Sequence, residues 1–359
     1  MTQINAEDQK DSIPDEIAEL APGLVVQGTV VRAAGGMYEV NVRLDNTDAH
    51  GEAHPTLHAL ICSLRGVLKK GKKTTSQPVA VGDDVLVRVL ETTGADARGR
   101  RLREGNVEEV LPRRTVLARS RYNKTNQVTV ANLDQVVVVM ALREPDLNTH
   151  RLDRFLVLAE AADLHPIIVL NKVDLLKKRE IKSEVEPIRK LYTSLGYDVA
   201  VVSSETDAGI LELRKLLEGH ISAVVGSSGD GNSSLVNAVQ PGLHLWVGDV
   251  MEIGKGRHTT TDVSLHPLDG GGFLADTPGV KTVSLLERED VNLPQCFPEI
   301  RELGPECKFN NCTHTHEPGC AVRTASESGD IAASRYDSYL KMHAEGDGSG
   351  NKKQSVLAP

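Results

Sequence analysis

Aromatic side chains make up only 3% of the 359 residues, with a single tryptophan. Any core must therefore be built mainly from valine, leucine, isoleucine and alanine. Long apolar runs are missing as well, and none approaches the roughly 20 residues of a membrane-spanning helix. The N-terminal stretch "MTQINAEDQKDSIPDEIAEL" is polar and acidic and has no apolar h-region, so the chain reads as cytoplasmic. Positive charge is in deficit, with 41 Lys and Arg against 50 Asp and Glu, a net charge of −9. This excludes a wholly basic nucleic-acid binder. It leaves room for local basic patches, because phosphate affinity depends on where lysine and arginine cluster. Of five cysteines, Cys307, Cys312 and Cys320 crowd together beside histidines, while Cys62 and Cys296 stand apart and read as buried or incidental. In a cytosolic chain such crowding points to metal more than to disulfides.

The length suits two or three domains with real cores, and 40% apolar with 25% charged residues is ordinary for a globular protein. Residues 1–20 and 346–359 are polar or glycine-rich and are expected to be disordered tails. From Leu24 onward come short β runs, "LVVQGTVVRA", "GMYEVNVRL", "LHALICSLRG", "DDVLVRVL" and "GNVEEVLPR", separated by turn-forming residues. That spacing predicts a small all-β barrel over 21–113. Two basic segments, "KKGKK" (Lys69–Lys73) and "RGRRLR" (Arg98–Arg103), read as loops of that barrel.

After Pro112 the runs become continuous and apolar, as in strands buried on both faces: Gln135–Leu142, Pro166–Leu170, Asp198–Ser204 and "ISAVVG". Helical patterns alternate with them at Arg151–Ala162, Glu184–Leu195 and Gly209–Leu217. The alternation predicts a doubly wound α/β domain with a mostly parallel sheet over 114–285. Beyond Leu285 the rhythm stops, and a cysteine/histidine segment (286–345) ends in a helix expected over Ile331–Ala344.

The chemistry-bearing motifs fall at strand ends. "NKVDLL" (Asn171–Leu176) follows "PIIVL", where open α/β sheets bind ligands. The Asp174 carboxylate there would accept from the N1–H and 2-amino group of guanine, which adenine lacks. Asn171 would reach the other edge of the base and the Lys172 stem would cover the ring, with Val173 between them. Ser203 and Ser204, at the next strand end, would offer backbone N–H groups. "GSSGDGNSSL" follows "ISAVV" and has the strand, glycine turn and helix start of a phosphate cradle: Gly226, Ser227, Ser228, Gly229, Asp230, Gly231, Asn232, Ser233 and Ser234. "DTPG" (Asp276–Gly279) suits an outer magnesium carboxylate and, at Gly279, an N–H for a γ-phosphate. "GKGRHTTTD" (Gly254–Asp262) is a basic loop in which Thr259, Thr260 or Thr261 would complete magnesium coordination as a switch. The order is unusual, because the guanine motif precedes the phosphate loop, as in a circular permutation. Cys307, Cys312, His314 and Cys320 form C-x4-C-x-H-x5-C, a closed Cys₃His set suited to structural zinc. His316 is an alternative to the preferred His314.

Together these motifs, in this order and over nearly the whole chain, resemble the circularly permuted small ribosomal subunit biogenesis GTPases (RsgA/YjeQ type). The resemblance implies an N-terminal OB-fold β-barrel, a central circularly permuted P-loop GTPase domain and a C-terminal zinc-binding domain. It also implies GTP hydrolysis to GDP and phosphate with Mg²⁺, stimulated on the small ribosomal subunit, and rRNA contacts from the basic segments of the barrel. The chain is expected to be a monomer. Val280 stands where ordinary GTPases carry a catalytic glutamine, and the resemblance assigns water positioning to His258 instead. The family pattern G-x-S-G-V-G-K-S-S is kept except at Asp230 and Asn232, which replace valine and lysine. Loss of the lysine charge implies reduced intrinsic activity. Asp230 adds a cost if its carboxylate faces the phosphates and little if it faces solvent. Lys255 or Arg257 could supply the missing charge. The alternative is an impaired pseudo-GTPase acting as an rRNA-binding assembly factor.

Overall fold

The computed structural model describes residues 20–47, 53–64, 78–95, 101–119, 127–243, 263–276 and 291–347. Two compact units emerge, one of residues 1–114 with 120–131, the other of 115–119 with 132–359.

In the first unit, five strands close a barrel: β1 (Val25–Ala34), β2 (Met37–Thr47), β3 (Ala53–Leu64), β4 (Asp84–Ala95) and β5 (Arg101–Val110). Their order is β1-β2-β3-β5-β4, and β1 pairs back onto β4. All pairs are antiparallel except β3–β5, and closure removes exposed strand edges. The topology is that of an OB-like barrel. Alternation of inward and outward residues fills it with Val30, Val40, Val42, Leu60, Val85, Val87 and Val107, each 0% exposed. Complete burial of one such aliphatic side chain contributes about 1.5–3 kcal/mol. Gly28 is required where β1 meets β2, because a Cβ there would lie 2.7 Å from the Asn41 carbonyl oxygen. The buried Asp83 carboxylate is gripped in a fork by Arg113, at 2.6 and 2.7 Å.

The basic segments divide. Lys69–Lys73 and residues 98–100 lie outside the described residues. Arg101–Arg103, expected in a loop, instead form the start of β5, opposite Thr93–Ala95 of β4. Arg103 is 9% exposed and donates to the Glu91 carbonyl. Ladder pairing with β4 outweighs the turn-like look of an arginine run.

The second unit is built on strands ordered β10 (Asp198–Val201), β9 (His165–Asn171), β8 (Gln135–Ala141), β11 (Ile221–Gly226), β13 (Phe273–Asp276) and β12 (Ser264–Pro267). Pairings through β13 are parallel, and β12 runs antiparallel to it. Every residue of β8 is buried, as its uninterrupted apolar run requires. Short strands β6 (Val116–Arg119) and β7 (Gln127–Ala131) precede this sheet in the chain. Among the described residues the helices of six residues or more are α1 (Thr149–Ala161), α2 (Glu186–Ser194), α3 (Ile210–Leu217), α4 (Asn232–Val239), α5 (Pro298–Leu303), α6 (Ala321–Ser328) and α7 (Ala333–Asp347). Helix α1 starts at an Asn148 cap whose Oδ1 accepts from the Arg151 N–H at 3.0 Å.

The C-terminal segment packs on α1 through a buried charge cluster. Arg335 of α7 is 1% exposed and donates to Asp153 of α1 (2.5 Å) and Glu299 of α5 (2.7 Å). Its guanidinium also lies 4.5 Å from the Phe297 ring centre, and Tyr192 Oη donates to Asp153. Among the described residues, no helix is long and apolar enough to cross a membrane.

Candidate functional site

Parallel strands β8, β9 and β11 bring their carboxyl ends together, so loops distant in sequence converge there. At the end of β9, Asn171 is fully buried. Its Nδ2 donates to the Asp230 carbonyl at 3.0 Å, while its Oδ1 accepts from the Lys172 N–H (2.8 Å) and, at longer range, from Ser204 N–H and Oγ. Asn171 thus joins three loops. The chain then turns through a left-handed Lys172 (φ +65°), whose ammonium donates to the Glu144 carbonyl. Val173 is half-buried and Asp174 is exposed in the short turn that follows. Ser203 is fully buried, and its hydroxyl accepts from the Glu205 and Thr206 N–H groups, fixing the loop after β10.

Between β11 and α4 the chain passes through Gly226–Gly231. Gly229 and Gly231 both have φ of +89°, a conformation that L side chains rarely adopt. A Cβ on Gly231 would come within 2.5 Å of Asn171 Nδ2, and one on Gly226 within 2.8 Å of the Val139 carbonyl. The glycines are there for close approach of backbone and side chains. Ser228 and Gly229 are exposed, Ser227 is half-buried, and Ser233 and Ser234 stand exposed on the first turn of α4.

The two departures from the family pattern have definite places. Asp230 does not face solvent. It is 0% exposed, and its carboxylate accepts from the Ser227 N–H (2.8 Å) and the Ala141 N–H (3.1 Å), with Arg151 Nη2 3.5 Å away. The carboxylate folds inward because two backbone donors and a cation lie beneath the loop. Asn232 is 8% exposed and turns back over Gly226, and its Oδ1 is buried without a hydrogen-bond partner. It brings no charge to the loop.

Asp276 ends β13 next to β11, where Ala223 pairs with Ala275. Lys255, Arg257, His258, Thr259, Thr260, Thr261, Gly279 and Val280 lie outside the described residues. Magnesium would be met by the exposed Ser233 hydroxyl, a donor of the oxygen type that this ion prefers.

A second centre lies in the C-terminal segment. Cys307, Cys312, His314 and Cys320 present ligand atoms all within 4.8 Å of one another. His314 Nδ1 is 3.5 Å from Cys307 Sγ and 3.6 Å from Cys320 Sγ. Three thiols and an imidazole, largely buried at this spacing, fit one tetrahedral zinc with no open position. His316 is exposed and bonds to the Thr315 hydroxyl instead. His314 takes a left-handed φ of +59°, and the surrounding loop is held from outside. Glu317 accepts from the Thr313 N–H and hydroxyl (2.7 and 2.6 Å) and from the Thr315 and His316 N–H groups (3.2 Å each). Burial would raise the Glu317 pKa, but these hydrogen bonds outweigh it and hold the carboxyl well below the usual range. Tyr336 and Tyr339 of α7 donate to the carbonyls of His314 and Thr313, at 2.7 Å each. Glu317, Tyr336, Tyr339 and Arg151 are absent from the motif reading, because none belongs to a spaced pattern.

The RsgA GTPase family model matches residues 110–286. A small ribosomal subunit biogenesis GTPase RsgA of Gemmatimonas aurantiaca is 41% identical over 328 residues, covering 90% of this chain and 96% of the relative. The chain belongs to the RsgA family. A second RsgA, from a Geobacillus species, is 38% identical and covers 89% of this chain and 97% of its own. Among solved structures, YjeQ of Thermotoga maritima matches with a TM-score of 0.63 at 34% identity, over 90% of this chain and 98% of that one. YloQ, described as a circularly permuted GTPase, matches with a TM-score of 0.65 at 28% identity, over 92% and 97%. The RsgA relationship therefore spans the barrel, the α/β sheet and the cysteine-rich segment alike.

Proposed function

We propose that this chain is a GTP hydrolase that binds the small ribosomal subunit and assists its late maturation, with intrinsic turnover lowered by Asn232. The observation that carries the reading is the Asn171–Asp230 bond, which ties the guanine motif to the phosphate loop within a chain of RsgA ancestry. The relatives' description as small ribosomal subunit biogenesis GTPases supports the partner.

In this reading Asn171, Lys172 and Asp174 select guanine, and Ser203 and Ser204 line the base. The loop Gly226–Ser234, leading into α4, holds the phosphates with those of its N–H groups that the Asp230 carboxylate and the Ser227 carbonyl have not already taken. Ser233 and one of Thr259–Thr261 would hold Mg²⁺, with Asp276 behind them, and the ion would neutralise charge on the phosphates. The Gly279 N–H meets the γ-phosphate, and His258 positions the attacking water. Cys307, Cys312, His314 and Cys320 hold a structural zinc that serves as the core of the aromatic-poor C-terminal segment. The functional blocks are 21–113, 114–285 and 286–345, with rRNA phosphates met by the basic segments of the first.

Losing one preorganised charged donor costs roughly 3 kcal/mol in the transition state, about a hundredfold in rate. The inward Asp230 carboxylate, already paired, spares the phosphates a like-charge neighbour, which supports impaired hydrolysis over none. The test is phosphate release from GTP by the purified protein with small subunits, beside His258→Ala. Stimulated release that His258→Ala abolishes supports the reading. Absence of release under all conditions overturns it in favour of a non-hydrolysing assembly factor.

A further inference from the structure

Asp230 and Asn232 depart from the phosphate-loop pattern the chain resembles, and both make the loop more negative than the valine and lysine of that pattern. A carboxylate placed where the pattern has an apolar side chain is costly unless it is hydrogen-bonded and paired. The Ser227 and Ala141 N–H groups supply the hydrogen bonds but no net charge. The charge comes from α1. The Arg151 backbone is pinned by the Asn148 cap, and its guanidinium sets Nη2 3.5 Å from Asp230 Oδ1. Arg151 Nε and Nη2 are buried and make no hydrogen bond to any described residue, so the 3.5 Å contact of Nη2 with Asp230 Oδ1 acts through charge.

We propose that Arg151 is a positioning residue for nucleotide binding. Its guanidinium, acting through Asp230, holds Gly226–Gly231 in a phosphate-accepting shape in a loop that has no lysine. The inference rests on reading Gly226–Ser234 as a nucleotide phosphate site. Asp230 is the node: its side chain fixes Ser227 and the end of β8, and its carbonyl accepts from Asn171. Without Arg151 the carboxylate is left buried and unpaired, and it can regain water only by leaving its place. That movement opens the turn at 227–230 and takes the Asn171 anchor with it. The loss falls on GDP and GTP alike, so it appears in affinity and KM more than in kcat.

The test is titration of the full-length protein with fluorescent GDP and GTP analogues, with thermal unfolding of each variant recorded without nucleotide. Arg151→Ala should weaken both nucleotides by about tenfold or more, because it strands a buried charge. Arg151→Lys, which keeps the charge on a shorter and more strongly hydrated side chain, should fall between. In an Asp230→Val background, whatever its own affinity, Arg151→Ala should change affinity by less than about twofold, because the shared partner is gone. If Arg151→Ala does not fold, the same comparison is read from Arg151→Lys in the two backgrounds. Equal losses with and without the Asp230 carboxylate, or no loss in either background, overturn the inference. No nucleotide binding by the folded wild type overturns the functional reading on which it stands.

Discussion

The side-chain amide of Asn171 donates to the main-chain carbonyl of Asp230 across 3.0 Å, so the residue proposed to meet the base also supports the glycine loop before α4. Asn171 is fully buried, and its carbonyl oxygen gathers the N–H groups of Lys172 and Ser204. Its removal leaves a buried acceptor and two donors without partners.

Asn171→Ala is therefore expected to damage more than base contact. Each stranded buried group costs about 1–3 kcal/mol. Guanine nucleotide affinity should fall by at least about tenfold, and the melting temperature without nucleotide should fall too. Calorimetric titration with GDP and a thermal melt check both. A loss of affinity with an unchanged melt would confine Asn171 to the base.

Arg335→Ala should be among the most damaging single changes in the chain. It leaves the carboxylates of Asp153 and Glu299 facing one another in a buried cluster. Removing one partner of a buried ion network costs about 3–5 kcal/mol, measurable as a lower denaturant midpoint. The same change exposed on a surface would cost almost nothing.

Glu317→Gln should loosen the zinc loop without touching a ligand. Glutamine keeps an acceptor but loses the charge that four loop donors address. The expected result is about 10–100-fold weaker zinc retention against a chelating dye, the scale seen when outer partners of metal ligands are removed.

Cys62 lies fully buried in the barrel, and burial pushes its thiol from 9.0 up to about 12. At a pH of about 8 its thiolate is scarce, so a disulfide reagent acting on the folded, zinc-loaded protein should find no fast-reacting Cys62. Chelation should release Cys307, Cys312 and Cys320 to the reagent. A raised folded pKa also means that stability falls as pH rises from about 9.0 toward about 12, because only the unfolded chain gives up the proton in that window. Cys62→Ala should flatten that decline.

Much of this architecture is legible in the sequence because burial on two faces and burial on one face leave different periods. The continuous run Gln135–Leu142 and the alternating run Asp84–Val89 declare a central parallel strand and a barrel strand respectively. Glycines at 226, 229 and 231 and the C-x4-C-x-H-x5-C spacing mark backbone geometry and ligand geometry directly. What sequence does not carry is the direction in which an unpatterned side chain turns. By pattern alone Asp230 is open between phosphate and solvent, yet the donors beneath the loop, Ala141 and Ser227, draw it inward. Arg101–Arg103 look like loop residues because their charge hides a ladder with β4. Arg335 acts through a partner 182 positions away, Arg151 reaches from α1 to the phosphate loop, and Glu317 closes its own loop, none of which a local window reveals.

In the proposed function, Asn232 leaves an intact GTPase frame with a weakened phosphate loop. The most direct test is GTP turnover by the wild type and by Asp230→Val/Asn232→Lys, with and without small ribosomal subunits. Expected are slow intrinsic turnover in the wild type, stimulation by subunits, and a rise of about a hundredfold in intrinsic rate in the double variant. Fast intrinsic turnover in the wild type, unchanged or reduced in the double variant, would contradict it.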